Sequence, residues 1–423
     1  MKGPLQLQPT SRASGMQPIA LTSIAIPGTQ THVRVAWLCG LILFLEGYDI
    51  ASVGYVIPSL VDTWRIPPWA LTQALTAGNI GLMLGSICAG LLGDRLGRKP
   101  VLIGCVVTFG MFSLLSAFVG SPMQLASLRF LAGLGLGGGL PITAALASDF
   151  APRSSRARLL ILMIMGVPIG FTVGGLLASW LVRLFGWPAI FLTGGMLPLA
   201  MAPLLVLRLP DVAQRADRYP NSLAPLFHDG LAPSTVLLWA INAFSLLGVY
   251  FMLQWTPALL HSGGVSVSRA ILGTTMYAMG TIASPLLLAF LVKRFGMEYV
   301  LAWALVFGAC CVLGIGLFYP EFWILSLLLF GVGIAGGSQA GIMCLSALVY
   351  PPAIRSRGAG CALGAGRVGT ITGPLLAGLL LGLGLTAQKL FILAAIPGFI
   401  TALLTAILAR LRAQAGIGGG GGN

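Results

Sequence analysis

Charge is scarce in this sequence, and acid is scarcest: ten Asp and Glu among 423 residues, with charged residues at 8%. Soluble globular domains carry charge on roughly a quarter of their residues, so a soluble fold is excluded. Histidine is nearly absent as well, and His32, His228 and His261 lie at the ends of apolar runs or between them. No Ser/His/Asp set, His-based metal box or phosphate loop can be assembled. The seven cysteines (Cys39, Cys88, Cys105, Cys310, Cys311, Cys344 and Cys361) all fall inside apolar runs. Their odd number and irregular spacing fit neither disulfides nor zinc, so they read as small packing residues. Gly133, Gly135 and Gly138 fit G-x-G-x-x-G, but a dinucleotide site needs a preceding strand and these sit within a hydrophobic run, where they suit close helix packing. The expectation is therefore no enzyme, no metal and no cofactor.

What is abundant is apolar surface, with hydrophobic residues at 57% and a mean hydropathy of +0.95. A helix needs about 20 apolar residues to cross a ~30 Å hydrocarbon core. Twelve runs qualify, at about 34–57, 72–93, 100–119, 122–148, 159–183, 187–208, 234–260, 269–291, 298–319, 322–348, 358–384 and 388–409. The expected fold is an all-α membrane protein of twelve transmembrane helices in two six-helix bundles, 34–208 and 234–410. A polar central loop at 209–233 joins them. Residues 1–33, rich in Pro, Ser, Thr and Gln, read as a disordered cytoplasmic tail, and 411–423 as a low-complexity end.

Lys and Arg set the orientation. With the N-terminus inside, inner segments hold eighteen: Lys2, Arg12, Arg34, Arg95, Arg98, Lys99, Arg153, Arg156, Arg158, Arg208, Arg215, Arg218, Lys293, Arg294, Arg355, Arg357, Arg410 and Arg412. Outer loops hold Arg65, Arg183, Arg269 and Lys389, and two more, Arg129 and Arg367, fall within spans. The net charge of +14 is thus a positive-inside bias and calls for no nucleic-acid partner. Both termini are expected in the cytoplasm of a bacterium, with the chain in its inner membrane among lipids.

The chain repeats itself. "GLGLGGG" from Gly133 recurs as "GVGIAGG" from Gly331, and "DRLGRKPVL" at 94–102 has an echo in "KRFGMEYVL" at 293–301. Two such halves around a midplane site are the plan of a secondary transporter. "GLLGDRLGRK", Gly90 to Lys99, resembles the loop signature of the major facilitator superfamily. "EGYD", "RFLAGLGLGGGLP", "GWPAIFLTGGMLPL" and "YPPAIRSRGAGCALGAGRVGTITGPLLAG" resemble its aromatic acid:proton symporter family over about 34–409. The family's D-G-x-D motif has Glu46 in its first position here, and Ile142 stands where an Asn commonly follows the proline.

Glu46 and Asp49 are three residues apart, which places them on one face of a helix. In a poorly solvated place their repulsion favours a labile proton, and intramembrane charge is costly enough to be functional as a rule. Counting at ~1.5 Å per residue, Asp49 lies about 8 Å and Arg129 about 10 Å below the outer surface. The three residues are expected to couple protons, with Asp49 as the carrier and Glu46 tuning it or helping to shape the ligand pocket. Arg367, ~15 Å into the core and with no acid in the spans of its own half, suits a ligand carboxylate, which its guanidinium can grip with two parallel bonds. Tyr48, Asn79, Phe244, Tyr250, Gln254, Trp255 and Gln339 are candidates to complete a substrate pocket. The family resemblance implies a conformational latch formed by Gly90, Asp94, Arg95, Gly97, Arg98 and Lys99 with Asp149. The reading is import of a small organic anion, most simply an aromatic carboxylate, together with protons. A proton-driven exporter and a membrane sensor are the alternatives.

Overall fold

The computed structural model describes residues 29–150, 156–210, 224–228, 230–319, 321–351 and 354–414. Most of the expected tails, the centre of the 209–233 connection, and Arg153, Arg215 and Arg218 lie outside the described residues.

Inside a bilayer the backbone has no water to bond to, so each span must satisfy its own N–H and C=O groups as a helix. Helices in chain order are α1 (Thr29–Trp64), α2 (Thr72–Leu96), α3 (Arg98–Leu115), α4 (Pro122–Phe150), α5 (Arg156–Ile164), α6 (Gly166–Phe185), α7 (Pro188–Arg208) and α8 (Ala232–Ser262). There follow α9 (Val267–Phe295), α10 (Met297–Phe318), α11 (Phe322–Gly336), α12 (Gln339–Val349), α13 (Arg355–Gly382) and α14 (Ala387–Gln414). They make twelve apolar spans, with α5 and α6 forming the fifth and α11 and α12 the tenth. The protein is all-α and spans the membrane twelve times. The first span runs past residue 57 to Trp64 because backbone bonding, not hydropathy, ends a helix; its last turns carry Asp62.

The sequence repeat is a repeat of packing. In the first half α2 packs on α4, α3 on α7 and α1 on α6; in the second, α9 packs on α11, α10 on α14 and α8 on α13. Gly97 and Gly296, the corresponding glycines of the two echoed loops, adopt φ of 92° and 83°. That left-handed turn is open to glycine at little cost, and it starts α3 and α10 alike.

The halves meet through α1 with α8, α2 with α13 and α6 with α9. Their ties cluster toward the arginine-poor end. Asp62 pairs with His261 at 3.1 Å, Ser268 donates to the Ser179 carbonyl at 3.1 Å, and a Cβ on Gly378 would strike Thr72. At the other end, among the described residues, α5 and α12 pack chiefly within their own halves. The cleft between the halves is therefore tied at its arginine-poor end.

The closed end is testable where α1 and α8 meet through Asp62 and His261 at 3.1 Å. In a background without native cysteines, Asp62→Cys with His261→Cys should be joined by a short bifunctional thiol reagent and hold the two halves together after proteolysis of the central connection. Halves that separate on a non-reducing gel would contradict the closed end described here.

Candidate functional site

The face of α1 that carries Glu46 and Asp49 divides them between two environments. Asp49 is 1% exposed and Arg129 of α4 is 2% exposed. Arg129 Nη1 donates to Asp49 Oδ2 at 3.1 Å, while Nη2 donates to Ser113 Oγ of α3 at 2.8 Å. Ser113 in turn donates to the other oxygen of Asp49. The Arg129 guanidinium also lies over the Phe191 ring of α7, 5.1 Å from its centroid. Four helices of the first half thus converge on one ion pair, and both carboxylate oxygens of Asp49 have partners.

Glu46 is bound differently. It is 5% exposed, and its Oε2 is buried with no hydrogen-bond partner, pressed against Gly139 of α4. The cation whose charge acts on it is Arg367 of α13, in the opposite half. Arg367 is partly buried, with the Tyr250 hydroxyl of α8 close to its guanidinium. Glu46 and Arg367 are not among the close ion pairs of the structure. They face each other across the cleft as an acid without a hydrogen-bond donor and a base without a carboxylate in contact.

Other candidates separate by place. Asn79 and Gln254 exchange bonds, Asn79 Nδ2 to Gln254 Oε1 at 3.2 Å and Gln254 Nε2 to Asn79 Oδ1 at 3.3 Å. Asn79 also donates to the Thr370 carbonyl at 2.8 Å. This clasp joins α2, α8 and α13 across the halves, and it borders a small cavity shared with Asp49, Gly78 and Arg129. Trp255 is fully buried and ties α8 to α13 through the Pro374 carbonyl at 3.1 Å. Tyr48 donates to the Ile190 carbonyl at 3.0 Å and meets Thr193, which turns its ring toward α7 and away from Arg367. Gln339 accepts from Ser245 at 2.7 Å and donates to Asn242 at 3.2 Å, beside an apolar cavity of the second half lined by Phe244, Ser245 and Tyr277. Of the aromatic candidates, only Tyr250 stands at Arg367.

At the arginine-rich end, Arg98 at the start of α3 pairs with Asp149 near the end of α4 and donates to the Ala145 carbonyl at 3.1 Å. Arg95 and Lys99 are also engaged. Asp94 is exposed, and the ion pairs described do not include it. The position a Cβ would take on Gly90 is open, while Gly97 makes the turn between α2 and α3. Ile142 points at Gly93 of α2, its Cδ1 2.8 Å from where a Cβ there would sit, so it faces the helix packing and not Arg367. Ser113, Phe191, Gly139 and Thr370 escaped the sequence reading. A serine, a phenylalanine, a glycine and a backbone carbonyl carry no charge signal, and only proximity reveals them.

The family model described as Major Facilitator Superfamily matches residues 39–319 and 257–418. The chain is 33% identical over 417 residues to the gallate transporter of Pseudomonas putida, covering 89% of this chain and 92% of that protein. It is 32% identical over 406 residues to the 4-hydroxybenzoate transporter PcaK of Pseudomonas aeruginosa, covering 86% and 89%. Among solved structures, the inward-open xylose transporter XylE from E. coli superposes with a TM-score of 0.72 at 17% identity, covering 90% of this chain and 99% of that one.

Removing one member of a buried ion pair strands the other, at a cost of about 3–5 kcal/mol, whereas removing both costs far less. Arg129→Met should therefore lower the unfolding temperature in detergent sharply, and adding Asp49→Asn should recover most of the loss. Additive losses in the double variant would mean that the two residues stabilise the fold independently.

Proposed function

The chain belongs to the Major Facilitator Superfamily and, within it, to the aromatic acid:proton symporter family, and from that premise we propose that it imports a hydroxylated aromatic carboxylate together with a proton. The observation that carries the proposal is the division of the two acids. Asp49 is fully partnered by Arg129 and Ser113, while Glu46 has a bare oxygen and Arg367 opposite it. The related transporters named for gallate and 4-hydroxybenzoate support the substrate class.

The mechanism follows from charge. In the empty protein with both acids ionised, Glu46 and Asp49 balance Arg129 and Arg367, so the four charges deep in the spans sum to zero. A ligand carboxylate gripped by Arg367 adds one negative charge at a depth where an unbalanced ion is costly. A proton on Glu46 restores the balance, because Glu46 has then surrendered its counter-charge to the ligand. Empty and loaded forms are both neutral, and each can pass through the change of access that a half-occupied form resists. Asp49, which the sequence singles out as the proton carrier, becomes in this scheme the fixed anchor of the first half, and Glu46 the acid that exchanges. Tyr250 steadies Arg367 and offers a ring face to the substrate.

The positive-inside rule assigns the arginine-rich end to the cytoplasm, so the ties between the halves, with the Asn79 to Gln254 clasp, lie on the periplasmic side of the site. Proton coupling has a physical purpose, since an anion entering against a negative-inside potential costs ~2.3 kcal/mol per 100 mV. Neutralisation by one proton removes that cost, and the pH gradient then drives uptake.

Proteoliposomes with an acid exterior provide the test. Wild-type protein should accumulate labelled 4-hydroxybenzoate and lose it on addition of a protonophore. Arg367→Lys, which removes the planar fork, should raise KM by about tenfold or more. Glu46→Gln should exchange substrate across the membrane but no longer accumulate it. Accumulation indifferent to the protonophore, or wild-type KM in Arg367→Lys, would sink the proposal.

A further inference from the structure

Three consecutive glycines of α4 face three different neighbours. A Cβ on Gly137 would run into the Leu82 carbonyl and Ser86 of α2, and one on Gly138 into Cys105 of α3 and Ala89 of α2. These are ordinary close helix contacts through small residues. Gly139 stands apart, because a Cβ there would meet no backbone of another helix but the carboxylate of Glu46, at Oε2 first and the carboxyl carbon at 3.0 Å. Gly139 is thus a notch in α4 that the acid side chain of α1 fills.

We infer that Gly139 is a positioning residue for Glu46, a notch that holds its carboxylate back from Arg367 so that Arg367 stays free to take the anion. Two observations carry this. The oxygen seated in the notch has no hydrogen-bond partner, so no donor holds it there and the shape of α4 does. Arg367 of α13 acts on Glu46 without a close ion pair between them.

The charged and titratable groups around Glu46 are few. Asp49 shares its helix and is held by Arg129 of α4, Cys105 of α3 lies within reach of its charge, and Tyr250 of α8 and Arg367 of α13 face it from the second half. Only Arg367 is a cation not already spent on an acid. With a methyl at 139 the carboxylate has to swing out of α4, and the side on which it gains a counter-charge is that of Arg367. The ligand then competes with a formed ion pair.

The inference rests on the reading that Arg367 receives the anion, and the experiment separates the two. Gly139→Ala should raise KM for 4-hydroxybenzoate on the order of tenfold with a smaller change in kcat, and should lower the unfolding temperature. Glu46→Asp placed in the same chain withdraws the carboxylate from both the methyl and Arg367, and should restore KM and the unfolding temperature together. If Gly139→Ala alone fails to express, recovery of folded protein by Glu46→Asp supports the notch equally. Wild-type KM and stability in Gly139→Ala, or no rescue by Glu46→Asp, would overturn the notch while leaving the transport reading in place. Should the wild-type protein carry no aromatic carboxylate, that reading fails, and rescue of the unfolding temperature alone decides the notch.

Discussion

A bare ion in hydrocarbon is so costly that its partner dictates where it can sit, and the rest of this structure depends on that constraint. Of ten acids in the chain, two lie deep in a span, and both are on α1. The Asp49 to Arg129 pair recruits α1, α3, α4 and α7 to one point, which makes the first bundle a single electrostatic unit. The second bundle contributes Arg367. Balance of the four deep charges therefore requires both bundles, and in the proposed mechanism an anion arriving at Arg367 disturbs a balance that a proton on Glu46 restores.

The ties between the halves are weaker bonds, most of them neutral. The amide clasp of Asn79 and Gln254, the Thr370 carbonyl and the Asp62 to His261 pair lie on the arginine-poor side of the site. Such ties are each worth about a kcal/mol or so, strong enough in sum to hold an end shut and weak enough to exchange when the bundles rock. The clasp borders the cavity next to Asp49 and Arg129, so the gate and the anchored ion pair share a wall.

Much of this was legible in the sequence. Twelve spans follow from hydropathy, and the two halves from "GLGLGGG" and its echo, because lipid leaves a helix as the only way to satisfy a spanning backbone. Intramembrane charges announce themselves by rarity, which is why Glu46, Asp49, Arg129 and Arg367 stood out. Depth counting put Asp49 and Arg129 at one level, and the structure joins them at 3.1 Å. What the sequence concealed was rotation about the helix axis. Tyr48, two residues from Glu46, turns to α7, and Trp255, next to Gln254, binds a carbonyl of its own half. Ile142 faces α2. Neutral residues give no signal of their direction, and Ser113 and Gly139 acquire meaning only beside the carboxylates they touch.

The central claim is that anion and proton exchange against one another around Arg367. The most direct measurement is the number of protons taken up when purified protein, in weakly buffered detergent solution near neutral pH, is saturated with the tightest ligand among benzoate, 4-hydroxybenzoate and gallate. Linkage requires binding and protonation to favour each other reciprocally. The account predicts uptake of about one proton per anion bound, abolished by Glu46→Gln. Saturable anion binding with no change in bound protons would contradict it.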